Sequence, residues 1–127
     1  MKKINYQEML VKLCKVYPGF RNYFVESADS WVSLEGKFLW GILVGSLSRM
    51  LFKNIEEGDY SNVQELFVCL DELIEHGDEE VATLITTQLL EGMLNSRTMD
   101  QSLWRPLLGE HAASYCNAID AHYAKTT

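Results

Sequence analysis

Leu66-Phe67-Val68-Cys69-Leu70-Asp71-Glu72-Leu73-Ile74-Glu75-His76-Gly77-Asp78-Glu79-Glu80-Val81 is the stretch that decides the fold. Val63, Leu66, Phe67, Leu70, Leu73 and Ile74 recur at helical intervals, so they form the apolar stripe of a helix that stops at Gly77. Asp78 then caps a second helix, whose inward residues are Val81, Leu84, Ile85, Leu89, Met93 and Leu94. Ser61 and Gln64 have the spacing of a capping box at the start of the first helix. The charge of this hairpin is one-sided. From Asn54 to Ser96 there are eleven acids and no lysine or arginine, whereas the residues before it carry net +4 and those after it net zero.

Toward the amino terminus, Asn5 and Glu8 predict a capping box opening a first helix, with Met9, Leu10, Leu13, Cys14 and Tyr17 at helical spacing. Pro18-Gly19 ends it. Phe20 to Val25 reads as a short second helix, and Ser27 to Ser33 as a polar loop carrying Trp31. Leu34 to Lys53 reads as one long helix, apolar on most sides and therefore central. Within it, Gly41 and Gly45 share a face on which a neighbouring backbone is expected to pack closely. Ile55-Glu56-Glu57-Gly58-Asp59 is echoed nineteen residues later by Ile74-Glu75-His76-Gly77-Asp78, which suggests stacked antiparallel helix pairs. Toward the carboxyl terminus, Asn95 to Asp100 is a connection and Met99 to Leu107 a short helix bent at Arg105-Pro106. Glu110 to Ala124 is a final helix. No stretch alternates as a strand does. The expectation is an all-α single domain over 1–127, with six or seven helices in antiparallel pairs around a long central one.

A chain of 127 residues with 47% hydrophobic content is large enough to build its own core. Its longest apolar run, Phe38 to Leu47, is half of what a bilayer span requires. The opening segment has no hydrophobic stretch of the secretory kind, which predicts a cytoplasmic protein. Cys14, Cys69 and Cys116 lie far apart in apolar patterns and read as free thiols in the core. With a pI near 4.9 the chain is repelled by nucleic acid and by anionic lipid.

Catalytic chemistry is sparse. His111 and His122 are separated by roughly 16 Å of helix rise, too far to share one metal. His76 at a helix end is explained by the dipole. No phosphate loop, nucleophile elbow or Glu-x-x-His pair occurs. The expected protein is not an enzyme and holds no metal or cofactor.

The acids are the remaining signal. Asp78, Glu79 and Glu80 suit the first turn of a helix, but Asp71, Glu72 and Glu75 repel one another near a helix C-terminus, where the dipole disfavours them. They are either neutralised by Lys2, Lys3, Lys12, Lys15 or Arg21, or reserved for a basic protein partner. The candidate contact set is Asp59, Tyr60, Glu65, Asp71, Glu72, Glu75, Asp78, Glu79 and Glu80. Tyr60, Trp31 and Trp104 are the candidate aromatic anchors.

The hairpin also carries a resemblance. It lies together with Tyr17-Pro18 at the end of a tyrosine-rich first helix and with Leu89-Leu90-Glu91-Gly92-Met93-Leu94. Pro106-Leu107-Leu108-Gly109 follows, before a last helix rich in small residues and tyrosine. This pattern resembles the small all-helical immunity proteins of bacterial polymorphic and contact-dependent toxin systems. The resemblance implies a cytoplasmic protein that binds the carboxy-terminal domain of a cognate toxin and, where that toxin is a nuclease, covers its basic cleft. It transfers no individual residue. The alternative is a regulatory or adaptor domain, homo-oligomeric or not, that docks some other basic protein.

Overall fold

The computed structural model describes residues 2–27, 31–97 and 99–126; positions 28–30 of the expected polar loop and Thr98 of the expected connection lie outside them. The chain folds as an all-α domain. Helices α1 (Tyr6–Val16), α2 (Pro18–Glu26), α3 (Trp40–Glu56) and α4 (Val63–His76) are followed by α5 (Glu79–Thr83), a π-helical segment (Leu84–Leu90) and α6 (Glu91–Leu94). Two 3-10 turns, Gln101–Leu103 and Arg105–Leu107, lead to α7 (Glu110–Thr126). No helix among the described residues is long and apolar enough to cross a membrane.

Local signals place the first elements. Asn5 Oδ1 accepts from the Glu8 N–H at 2.9 Å while Glu8 Oε1 accepts from the Asn5 N–H at 3.3 Å, a complete capping box. Pro18 takes the first position of α2, where its missing donor costs nothing. The expected helix from Leu34 starts only at Trp40. Residues 31–39 instead turn back on themselves: Val32 and Phe38 form a bridge and Gly36 adopts φ +82°. The Ser33 hydroxyl accepts from the Lys37 N–H at 3.1 Å. Leu34, read as a core residue, is fully exposed at 106%.

The α4–α5 corner is the tightest place in the fold. Ile4 donates to the His76 carbonyl at 2.9 Å and accepts from the Asp78 N–H at 2.8 Å, tying the amino-terminal segment across Gly77. A Cβ at Gly77 would strike the Leu73 carbonyl and lie 2.6 Å from Val81 Cγ1, so only glycine fits. Asp78 caps α5 through Val81 N–H at 2.8 Å. The echoed Gly58-Asp59 differs: Gly58 is left-handed at φ +77°, and the Asp59 carboxylate takes the Ser61 N–H at 3.0 Å to form a turn. The echo is therefore no structural repeat. The Ser61–Gln64 capping box does not form, because α4 starts at Val63 behind a left-handed Asn62 with no side-chain cap.

α5, the π-helical segment and α6 run on without a break, since the residues at each junction keep right-handed helical dihedrals. The Thr86 and Thr87 hydroxyls bond back to the Ala82 and Thr83 carbonyls at 2.9 and 2.6 Å, occupying acceptors of the ordinary ladder. The widened turn lines up residues five apart, so Leu84 with Leu89 and Ile85 with Leu90 face the core. Around this rod, Leu13, Phe20, Leu47, Leu70 and Trp104 are completely buried. Each of the leucines and Phe20 is worth about 1.5–3 kcal/mol of burial. α4 packs on α1, α5 and α7, and α3 packs on the π-helical segment.

Gly41 and Gly45 do not admit a neighbouring backbone. A Cβ at Gly41 would meet the Gln88 side chain at 3.6 Å, and one at Gly45 the Arg49 guanidinium at 3.8 Å, both ordinary contacts. Gly41→Ala and Gly45→Ala should each raise stability by about 0.5–1 kcal/mol. Gly77→Ala should lower it by about 1–3 kcal/mol through overpacking. Urea denaturation of the three variants checks the opposite signs; loss of stability in both helix variants would mean that α3 packs more closely than this.

Candidate functional site

Most of the acids expected to form a docking face have work inside the fold. Asp71 is four-fifths buried, on the last turns of α4. Its Oδ1 accepts from the Ala112 N–H at 2.9 Å and its Oδ2 from His111 Nδ1 at 3.1 Å. The carboxylate thus caps α7 from another helix. Gly109, just before α7, has no side chain to do so, and a Cβ there would lie 2.5 Å from Asp71 Cγ. A charge disfavoured at the end of α4 is favoured at the start of α7, which removes the objection raised from sequence.

Glu72 pairs with Lys12 of α1 at 3.1 Å. Lys2, Lys3, Lys15 and Arg21, also considered as neutralising partners, make no ion pair among the described residues. Glu75 is half exposed, 3.6 Å from His76 and 3.9 Å from His111. Asp78 is the α5 cap. The exposed Asp59 carboxyl is held below its ordinary range by the Ser61 backbone and side-chain hydrogen bonds. Glu91 accepts from the Tyr115 hydroxyl at 2.8 Å, joining α6 to α7.

The outward-facing remainder does not form one patch. Tyr60 and Glu65 lie at the amino-terminal end of α4, with Tyr60 44% exposed. Glu79 and Glu80 lie beyond its other end, roughly 20 Å away along fourteen residues of helix. They are exposed, make no ion pair among the described residues, and line a groove with Tyr6, Thr83, Leu84, Thr87 and Gln88. Burial raises the Tyr6 phenol pKa, and the Glu80 and Asp78 charges add to the rise. Tyr6 stacks on Trp40 with centroids 4.8 Å apart.

Trp31 and Trp104 are core residues, not anchors: they are 2% and 0% exposed. The Trp31 indole donates to the Phe24 carbonyl at 3.3 Å. Trp40, inside the apolar run from Phe38 to Leu47, is the tryptophan that backs Tyr6 of the acidic groove. Cys69 and Cys116 are buried and Cys14 half-buried, all as free thiols. Burial raises each thiol, Cys69 to about 11, which leaves it protonated and unreactive. No group of three His, Cys, Asp or Glu side chains among the described residues is placed to hold a metal ion.

Asp71→Ala should cost about 0.5–2 kcal/mol through the lost cap. Asp71→Asn, which keeps an acceptor for Ala112 N–H, should cost less; equal losses would show that the cap contributes nothing. The His111 imidazole is held above its ordinary range, chiefly by its hydrogen bond to Asp71, against desolvation and with help from the Asp71, Glu75 and Glu110 charges. A folded-state pKa above the unfolded one gives stability that is complete below about 6.5 and is lost as pH rises through the folded value. Denaturation midpoints across pH 5.5–8.5 should therefore fall with pH more steeply in the parent than in His111→Gln.

No curated protein and no solved structure shows significant similarity to the chain. Residues 10–123 match the model of a domain of unknown function, DUF7674, and the chain belongs to that family.

Proposed function

We propose that the chain is a non-catalytic protein-binding domain that docks a basic protein at the groove bordered by Glu79, Glu80 and Tyr6. The observation that carries the reading is the pair of exposed carboxylates that make no ion pair among the described residues, on α5 beside an aromatic ring. An arginine or lysine side chain laid on Tyr6 would meet carboxylates at its charged end, combining a cation–π contact with charge-assisted hydrogen bonds. The sharper form is the immunity reading: a stoichiometric inhibitor, cytoplasmic like its target, that covers the basic cleft of a cognate toxin, most simply a nuclease domain. The net charge of −7 supports it, since complementary charge speeds encounter with a basic surface. Tyr60, 44% exposed at the other end of α4, would serve as a second, separate contact.

The test starts by recovering the partner from the native host and assaying its toxicity with and without the domain. Glu79→Lys together with Glu80→Lys should slow association about tenfold at low salt and flatten its salt dependence, with helicity unchanged. Protection from the toxin should fall with it. A non-toxic partner that still binds through these residues would favour the adaptor reading. Unchanged association in the double variant would remove the groove from the interface.

A further inference from the structure

A second surface, away from the acidic groove and independent of the reading above, carries Val11, Val25 and Val68 at 67%, 63% and 59% exposure. Val11 and Val25 share an apolar groove with Leu10, Cys14 and Phe24, and Val68 lies in a second groove across Lys12 and Lys15, so one face of three helices carries all three exposed valines. α1 lies in the middle of this face and runs antiparallel to both neighbours. On one side Lys12 meets Glu72, while Lys15 and Val16 share a groove with Gln64, Glu65 and Val68 of α4. On the other side Leu10, Val11, Cys14 and Lys15 share a groove with Arg21, Phe24 and Val25 of α2.

The charges on the two flanks are opposite and level with each other. Arg21 stands beside Cys14, whose thiol its charge pulls down against the larger effect of burial. Glu65 stands beside Lys15 and Val16, within one helical turn of that height. Val25 and Val68 are likewise within about a turn of each other. Neither Arg21 nor Glu65 makes an ion pair among the described residues.

We infer that this face is a self-association surface whose occupant is a second copy of the chain. A two-fold axis running along α1 lays α4 of one copy over α2 of the other. Val11 then meets its own counterpart, Val68 meets Val25, and Glu65 meets Arg21, each of the last two contacts occurring twice, as an isologous interface requires. Glu8, Lys12 and Lys15, which share a groove with Val11, lie near their own counterparts across the axis, and Glu65 of its own chain lines the same groove as Lys15. Glu8 and the paired Lys12 and Glu72 complete the charges facing the band. The eleven residues of α1 span roughly 16 Å, and three helices about 10 Å apart give on the order of 500 Å² per copy. This is less than the roughly 800 Å² of a tight complex, which puts the dimer among weak, reversible associations.

Sedimentation velocity from about 1 µM to 1 mM tests it, since that range spans the affinities of weak, reversible dimers. The parent should shift from monomer to dimer across the range, and Val11→Asp should stay monomeric with its helicity intact. Arg21→Glu and Glu65→Arg should each weaken the dimer about tenfold. Mixing these two variants should restore association, because each heterodimer contact again joins opposite charges. A parent that remains monomeric at the top concentration overturns the proposal and leaves the face to a different protein. A dimer indifferent to Val11→Asp, or a mixture no tighter than the separate variants, overturns it as well.

Discussion

Everything in this fold is referred to the crowded corner at Gly77. The chain reverses there with no room for a side chain, because the Leu73 carbonyl and Val81 occupy the space a Cβ would need. Ile4 bonds to both sides of the corner, so the amino-terminal segment is pinned where α4 gives way to α5. That pin sets the height at which α1 lies along α4, and hence which residues meet across them: Lys12 reaches Glu72, and Lys15 comes level with Glu65. The corner also aims Glu79 and Glu80 outward beside Tyr6. One steric constraint thereby fixes the acidic groove and the register of α1 on α4.

What could be read from sequence was what is decided locally. The Asn5–Glu8 capping box and the Gly77-Asp78 junction lie within a few residues of their partners, and their chemistry is unambiguous. The apolar spacing of Leu34, Phe38 and Leu39 was equally compatible with a helix and with a turn that buries only part of it. The choice was made by Gly36 and the Ser33 hydroxyl. The π-helical segment left no readable signal, because paired threonines are common in ordinary helices. Its identity depends on which carbonyls their hydroxyls occupy.

The candidate site was legible only in outline. An excess of acid in the hairpin is a property of the sequence, but its division into structural and outward-facing carboxylates depends on partners distant in the chain. Asp71 finds Ala112 forty-one residues later, and Glu72 finds Lys12 sixty residues earlier. Glu79 and Glu80 stay exposed, because the first turn of a helix favours negative charge without a distant cation.

The carboxylate of Asp71 and the missing side chain of Gly109 are two halves of a single solution. Ordinarily a helix start is closed by serine, threonine, asparagine or aspartate at the position preceding it. In this chain that side chain is supplied from across the interface, and the vacancy at Gly109 is what makes the delivery sterically feasible. Among family members the two positions should therefore change in concert. A relative bearing its own hydroxyl or amide at 109 has no space for an acid at 71, and one that has lost the acid gains by restoring a polar residue at 109.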